Sequence, residues 1–205
     1  MNYLAHLYLA DDSPASLIGN LLPDLHRGRL PDDLDPVVLE GVHRHRRVDV
    51  FTDSHPVFER SCARLRPRHG RYSGVLVDVI YDHVLSVNWT AYHPEPLPEF
   101  IAGAYRQILG QRRLMPPRMR AIMVMMSRED WLSTYVTVEG IQHTLGRMSA
   151  RLRERFDREV DLASAVIELR DQYDGFAQDF ADFFPDLIDY LGVDPRKGLT
   201  SRDPS

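Results

Sequence analysis

The sequence predicts an all-α protein: a single compact helical domain over residues 1–192, followed by a tail at 193–205. Three observations carry that prediction. Apolar residues recur at spacings of three and four through most segments. No segment alternates apolar and polar residues between hairpin turns. The breaks between periodic segments are proline-rich, as at Gly28–Pro36 and at Pro94, Pro96 and Pro98.

The elements follow in order. Ser13-Pro14 supplies a cap and a first-turn proline for a helix over 14–27, with Leu17, Ile18, Leu21 and Leu22 on one face. A second helix is expected over 36–54, on Val38, Val42 and Val48, and ends at Ser54-His55-Pro56. A third, over 73–92, carries Val75, Leu76, Val79, Ile80, Val84, Leu85 and Trp89. Shorter helices are expected at 98–109 and 117–126, then longer ones at 138–156 and 161–183, and a last short one around Pro185–Leu191. In Val160–Phe184, the residues Leu162, Val166, Leu169, Tyr173, Phe176, Phe180 and Phe183 form an amphipathic stripe read as core, with a solvated acidic back.

Composition excludes several classes. The 205 residues are 43% hydrophobic and 27% charged, ordinary for a soluble domain and unlike disordered chains or coiled-coil rods. No run of 18 apolar residues exists to span a membrane. The N-terminus lacks the cationic and small-residue marks of a secretion signal. A single cysteine, Cys62, cannot form an internal disulfide, and its neighbours offer no arrangement for a thiol nucleophile; a cytoplasmic location is expected. Net charge is −5, yet residues 106–158 hold 11 arginines against 5 acids, a basic middle suited to an acidic partner. Nucleic-acid binding is not expected, since the chain is net acidic and shows no helix-turn-helix or aromatic platform.

Chemistry is signalled where polar residues interrupt apolar stripes. The stripe of Val38 and Val42 continues at His45, Asp49 and Thr52, so an imidazole and a carboxylate share one helix face. In VLVDVIYDHVL, Asp78 and Asp82 lie four apart among valines and isoleucine, followed by His83. Two such aspartates repel unless a cation sits between them. His6 inside YLAHLYLA, and Asp24 at the end of GNLLPDL, also sit in strongly apolar surroundings. Imidazole with carboxylates suits Mn²⁺, Fe²⁺, Zn²⁺ or Mg²⁺. His55, His69 and His93, beside prolines or arginines, are expected to be exposed.

The segments NYLAHLYLA, GNLLPDLHRG, GVHRHRRVDVFTD and DVIYDHVL, in this order and spacing over about residues 2–90, resemble the acyl carrier protein phosphodiesterase family. Agreement is looser through the segment around Trp131 and the aromatic C-terminal helix. Tyr8 stands where some relatives have histidine, which argues against a ligand role there. The resemblance implies an all-helical fold, distantly like the histidine–aspartate metal-dependent phosphohydrolases. It also implies removal of 4′-phosphopantetheine from holo acyl carrier protein, with a preference for Mn²⁺. It marks Asp24, His43, His45, Asp49, Asp78, Asp82 and His83.

On that basis Asp78, Asp82 and His45 are expected to hold the ion, with His6 a further candidate ligand. Asp24 or Asp49 would orient water or complete the coordination. Arg46 or Arg47 would bind phosphoryl oxygens as bidentate donors, and His83 or His43 would protonate the leaving serine oxygen. The basic 106–158 segment, or the 60–71 arginine run, is the expected docking surface for the acidic carrier. Two other readings remain at this level: a phosphohydrolase of nucleotides or other small phosphodiesters, and a metal-free binding module.

Overall fold

The computed structural model describes residues 1–156 and 160–194. Of the expected tail, all but Val193 and Asp194 lies outside the described residues. Ten α-helices and no strand are found among the described residues: α1 Tyr3–Tyr8, α2 Pro14–Leu25, α3 Pro36–Ser54, α4 Pro56–His69, α5 Ser73–Val87, α6 Leu97–Gly110, α7 Pro117–Arg128, α8 Val138–Phe156, α9 Val166–Asp171 and α10 Tyr173–Leu191.

Local chemistry explains the starts. Ser13 Oγ accepts from the Ser16 N–H ahead of Pro14, and Asp35 Oδ1 accepts from the Val37 N–H at 2.8 Å ahead of Pro36. The most intimate packing is α2 on α3, and two glycines permit it. A Cβ on Gly41 would stand 2.8 Å from the Ser16 carbonyl oxygen and 2.9 Å from Gly19 Cα, so only glycine lets the two backbones touch. That crossing sets the Asn20 carbonyl against the next turn of α3. α10 lies over α4 and α5 and contributes Phe176, Phe180, Phe183 and Phe184, all fully buried, to a core shared with Tyr81. Burying each such ring is worth about 1.5–3 kcal/mol.

Four expectations need correction. α1 is too short to show a helical period, and α4 carries so many arginines that no apolar stripe stands out, so neither was foreseen. The 161–183 segment is not one helix but a short turn at Ala163–Ala165 followed by α9 and α10. α10 also continues through Pro185, because Pro185 and Ala181, whose carbonyl loses its donor, both face solvent.

The last correction concerns the histidines. His69 and His93 are buried rather than exposed: His69 Nε2 lies 3.2 Å from Glu168, and His93 packs on Tyr8, Trp89 and Phe100. His55 is largely covered, 3.3 Å from Asp186. Glu168, Asp186 and Tyr8 come from distant segments that local context does not reveal.

Candidate metal centre

The site is assembled by α1, α2, α3 and α5. α1 is anchored first. Asp82, fully buried on α5, accepts the N–H groups of Leu4 at 2.7 Å and Ala5 at 3.1 Å, two donors that the first turn of α1 leaves free. Burial pushes the Asp82 carboxyl up to about 7, against those two hydrogen bonds. Asp78, one turn earlier, lies 2.9 Å from the ammonium of Met1, which is also 3.7 Å from Asp49. The repulsion foreseen between Asp78 and Asp82 is thus relieved separately, by an ammonium at one and by backbone N–H groups at the other. Burial opposes charge on the Met1 amine, but Asp78 and Asp49 outweigh it and raise its pKa to about 10.

Anchoring α1 puts His6 face to face with His45 of α3, ring centres 3.9 Å apart and 16° from parallel. His45 Nδ1 donates to the Asn20 carbonyl at 2.7 Å, which sets the ring and turns Nε2 toward Asp49 and Asp24, where its lone pair is open to a cation once that nitrogen is unprotonated. That nitrogen is 3.0 Å from Asp49 Oδ2 and 3.8 Å from Asp24 Oδ1. His6 Nε2 is 3.3 Å from Asp49 Oδ1, yet neither ring nitrogen of this fully buried side chain has a hydrogen-bond partner.

Burial drives the pKa of His6 down to about 3, so the ring is neutral and a ligand by nature. Burial would raise Asp49, but the His45 and His6 rings set against it, with the Met1 ammonium, outweigh that and hold it well below the usual carboxylate range. Asp24, at the rim, is raised by burial. Burial works against charge on His45, while Asp49 and Asp24 more than reverse it.

His6, His45 and Asp49 each offer a ligand atom, all within 4.8 Å of one another, a group that could hold a metal ion. The donor set of two imidazoles and a carboxylate, with the unpartnered His6 nitrogens, fits a divalent cation. Of the expected trio Asp78, Asp82 and His45, only His45 falls in this group. Asp82 accepts from the α1 backbone and Asp78 faces the Met1 ammonium, while the expected candidates His6 and Asp49 join His45 in it.

Four other candidates point elsewhere. His43 is exposed, two residues and about half a turn from His45. Arg46 lines a surface recess with Gly28–Asp32, and Arg47 lies 5.2 Å over the Tyr190 ring. His83 Nδ1 donates to the Tyr135 carbonyl at 2.6 Å and so braces the Leu132–Val136 turn. Burial lowers its pKa. In the 60–71 run Arg60 and Arg64 pair with Asp179, Arg66 with Glu59 and Arg68 with Glu168, and Arg71 lies on the Tyr72 ring. Cys62 is buried and its thiol is pushed up to about 12, in keeping with an inert cysteine. Among the described residues, no helix is long and apolar enough to cross a membrane.

What the spacing of residues missed is Asn20, whose carbonyl orients His45, and the Met1 amine. The first could have been suspected from its place in the GNLLPD segment; the second leaves no mark in a sequence.

Comparison with known proteins agrees with the four segments. Relatives from Escherichia coli O139:H28 (strain E24377A / ETEC) and Escherichia coli (strain K12 / DH10B), both named acyl carrier protein phosphodiesterase, are 35% identical over 189 residues, covering 92% of this chain and 96% of theirs. No solved structure matches the chain significantly. With its residues 1–187 matching the family described as acyl carrier protein phosphodiesterase, the chain belongs to that family.

Proposed function

We propose that this protein is a cytoplasmic, metal-dependent phosphodiesterase that removes 4′-phosphopantetheine from holo acyl carrier protein. The observation that carries the metal part is the stacked His6–His45 pair on Asp49, with both His6 nitrogens unpartnered in a fully buried ring. Family membership carries the substrate. His6 and His45 through Nε2, and Asp49 through a carboxylate oxygen, are the proposed ligands, and Mn²⁺ is the proposed ion. Bound there, such an ion supplies a low-pKa water and neutralises charge on the phosphoryl oxygens. A distant kinship with the histidine–aspartate phohydrolases is part of the same proposal, supported by paired His and Asp ligands in an all-helical domain.

The chain's own groups then have defined tasks. The Asn20 carbonyl holds His45 in the tautomer that presents Nε2. Asp82 keeps α1, and with it His6, in place. Asp24, at the open edge and raised by burial, is positioned to take or give a proton at a carboxylate oxygen. An acidic carrier would meet the exposed Arg106, Arg112, Arg113, Arg118 and Arg128 of the basic middle segment. The test is mass spectrometry of holo carrier protein incubated with the enzyme, with Mn²⁺ or with a chelator. Conversion to the apo form only with the metal is expected; hydrolysis confined to nucleotides would overturn the substrate.

A further inference from the structure

Asp49 and Asp78 share a cation that the chain itself carries. The α-amine of Met1 lies 2.9 Å from Asp78 Oδ1 and 3.7 Å from Asp49 Oδ1. Both oxygens of Asp49 are engaged: Oδ2 is 3.0 Å from His45 Nε2, and Oδ1, the oxygen facing the amine, is also 3.3 Å from His6 Nε2. Asp49 thus stands between the imidazole pair on one side and the ammonium on the other. In a two-metal site, a bridging carboxylate stands in the same way between two ions.

The fold holds the amine in that seat. Met1 is buried, and the turn that follows it is gripped by the same helix: Asp82, one turn on from Asp78 along α5, accepts the N–H groups of Leu4 and Ala5. Drawing the amine out would pull this turn off Asp82 and leave Asp78 without its cation, a costly state. On the other edge of the cluster, Asp49 and Asp24 are 41% and 36% exposed, so an ion arriving from solvent meets them and the imidazoles rather than the amine.

The donor inventory points the same way. Among the described residues, His6, His45 and Asp49 are the one group of His, Cys or acidic side chains close enough to share an ion, and Asp78 is not in it. A second divalent ion at Asp78 would find that carboxylate and one oxygen of Asp49, both already facing the ammonium, and no imidazole of its own. Charge agrees. Asp24, Asp49 and Asp78, when ionised, are matched by one ammonium and one divalent ion; a second divalent ion would add like charge beside a fixed ammonium.

We propose that the Met1 α-ammonium is the second cation of this centre, fixed between Asp49 and Asp78, so that the cluster takes one divalent ion per chain and not a pair. The inference rests on the metal reading above and deepens it, assigning the number of ions and the task of Asp78. Asp78 is then a positioning residue: it holds the amine, and through the amine the start of α1, which carries His6.

The test uses the full chain and two readouts independent of turnover. Bound Mn²⁺ is counted by electron paramagnetic resonance. The α-amine is probed by reductive methylation and peptide mapping, which separates Met1 from Lys197, the chain's single lysine. One Mn²⁺ per chain is expected, with no spin-coupled pair, and Met1 should be methylated at least about tenfold more slowly than in the unfolded chain, with Mn²⁺ bound or absent. In Asp78→Asn the amine should react about tenfold faster while the count stays at one. Two Mn²⁺ per chain, or a Met1 amine that becomes reactive on loading, overturns the proposal and leaves the metal centre standing. Folded Asp78→Asn protein that takes up no Mn²⁺ makes Asp78 a ligand and also overturns it; should that variant fold poorly, the two wild-type readouts decide. No uptake by the wild type overturns the metal reading and this proposal with it.

Discussion

Two carboxylate centres of the molecule have opposite surroundings. Asp179 of α10, 1% exposed, accepts from Arg60 at 2.6 Å, Arg64 at 3.2 Å and Ser61 at 2.7 Å, and Ser61 also meets the Tyr81 hydroxyl. Both carboxylate oxygens have donors, and the charge is matched. At the other centre, Asp24, Asp49 and Asp78 gather with two imidazoles, and among the described residues no arginine or lysine pairs with any of them. Among the described residues the one ammonium there is that of Met1, and neither ring nitrogen of His6 has a hydrogen-bond partner. Burying polar groups without partners is costly. The first arrangement stabilises the fold; the second keeps negative charge and free lone pairs for a cation.

The contrast predicts opposite outcomes for similar substitutions. Asp179→Ala leaves the buried Ser61 hydroxyl and the partly exposed Arg60 and Arg64 without their shared acceptor and should cost about 1–3 kcal/mol in chemical denaturation, with activity per folded molecule retained. His6→Ala or His45→Ala should leave the fold nearly as stable. Both should cut metal-dependent activity by more than about a hundredfold, beyond the usual effect of an outer partner of a metal ligand. Equal stability losses at the two centres would erase the distinction.

Metal addition sharpens the contrast. At a hundredfold excess over its dissociation constant, Mn²⁺ should stabilise the wild type by about 2.7 kcal/mol in thermal melts, Asp179→Asn to the same degree, and His6→Ala not at all. The α2–α3 crossing ties fold to site, so Gly41→Ala should cost about 1–3 kcal/mol through overpacking against Ser16 and Gly19. It should also weaken Mn²⁺ binding by shifting the Asn20 carbonyl off His45.

How far the sequence revealed each centre follows the same division. The line Val38, Val42, His45, Asp49 was legible because a helix repeats its face every three to four residues, and an imidazole among valines stands out. His6 and Asp24 were legible as interruptions of apolar runs, though not their place beside His45. The fate of Asp82 was not legible, since its partners are backbone N–H groups some 78 positions away in the chain. Asp179 was hidden in the acidic back assumed for α10, where only its arginine and serine partners on α4 show that it faces inward. Arg46 and Arg47 follow from helix geometry once His45 is placed: they are one and two residues on, and so turn away from the face it shares with Asp49.

The smallest effect is a pH dependence away from the cluster. Burial would raise Glu168, but His69 and Arg68 hold it below its usual 4.5. A depressed carboxylate contributes stability above its unfolded value, and that contribution is lost as pH falls through the folded one. Glu168→Gln should therefore flatten the acid side of the stability profile between about pH 3 and 5, leaving the neutral region nearly unchanged.

The most direct test of the central claim is Mn²⁺ binding followed by electron paramagnetic resonance, titrating folded wild type, His6→Ala and Asp179→Asn. A metal centre built on His6, His45 and Asp49 predicts tight uptake by the wild type and Asp179→Asn and its loss in His6→Ala. Uptake by His6→Ala as tight as by the wild type, or none by any of the three, would contradict it.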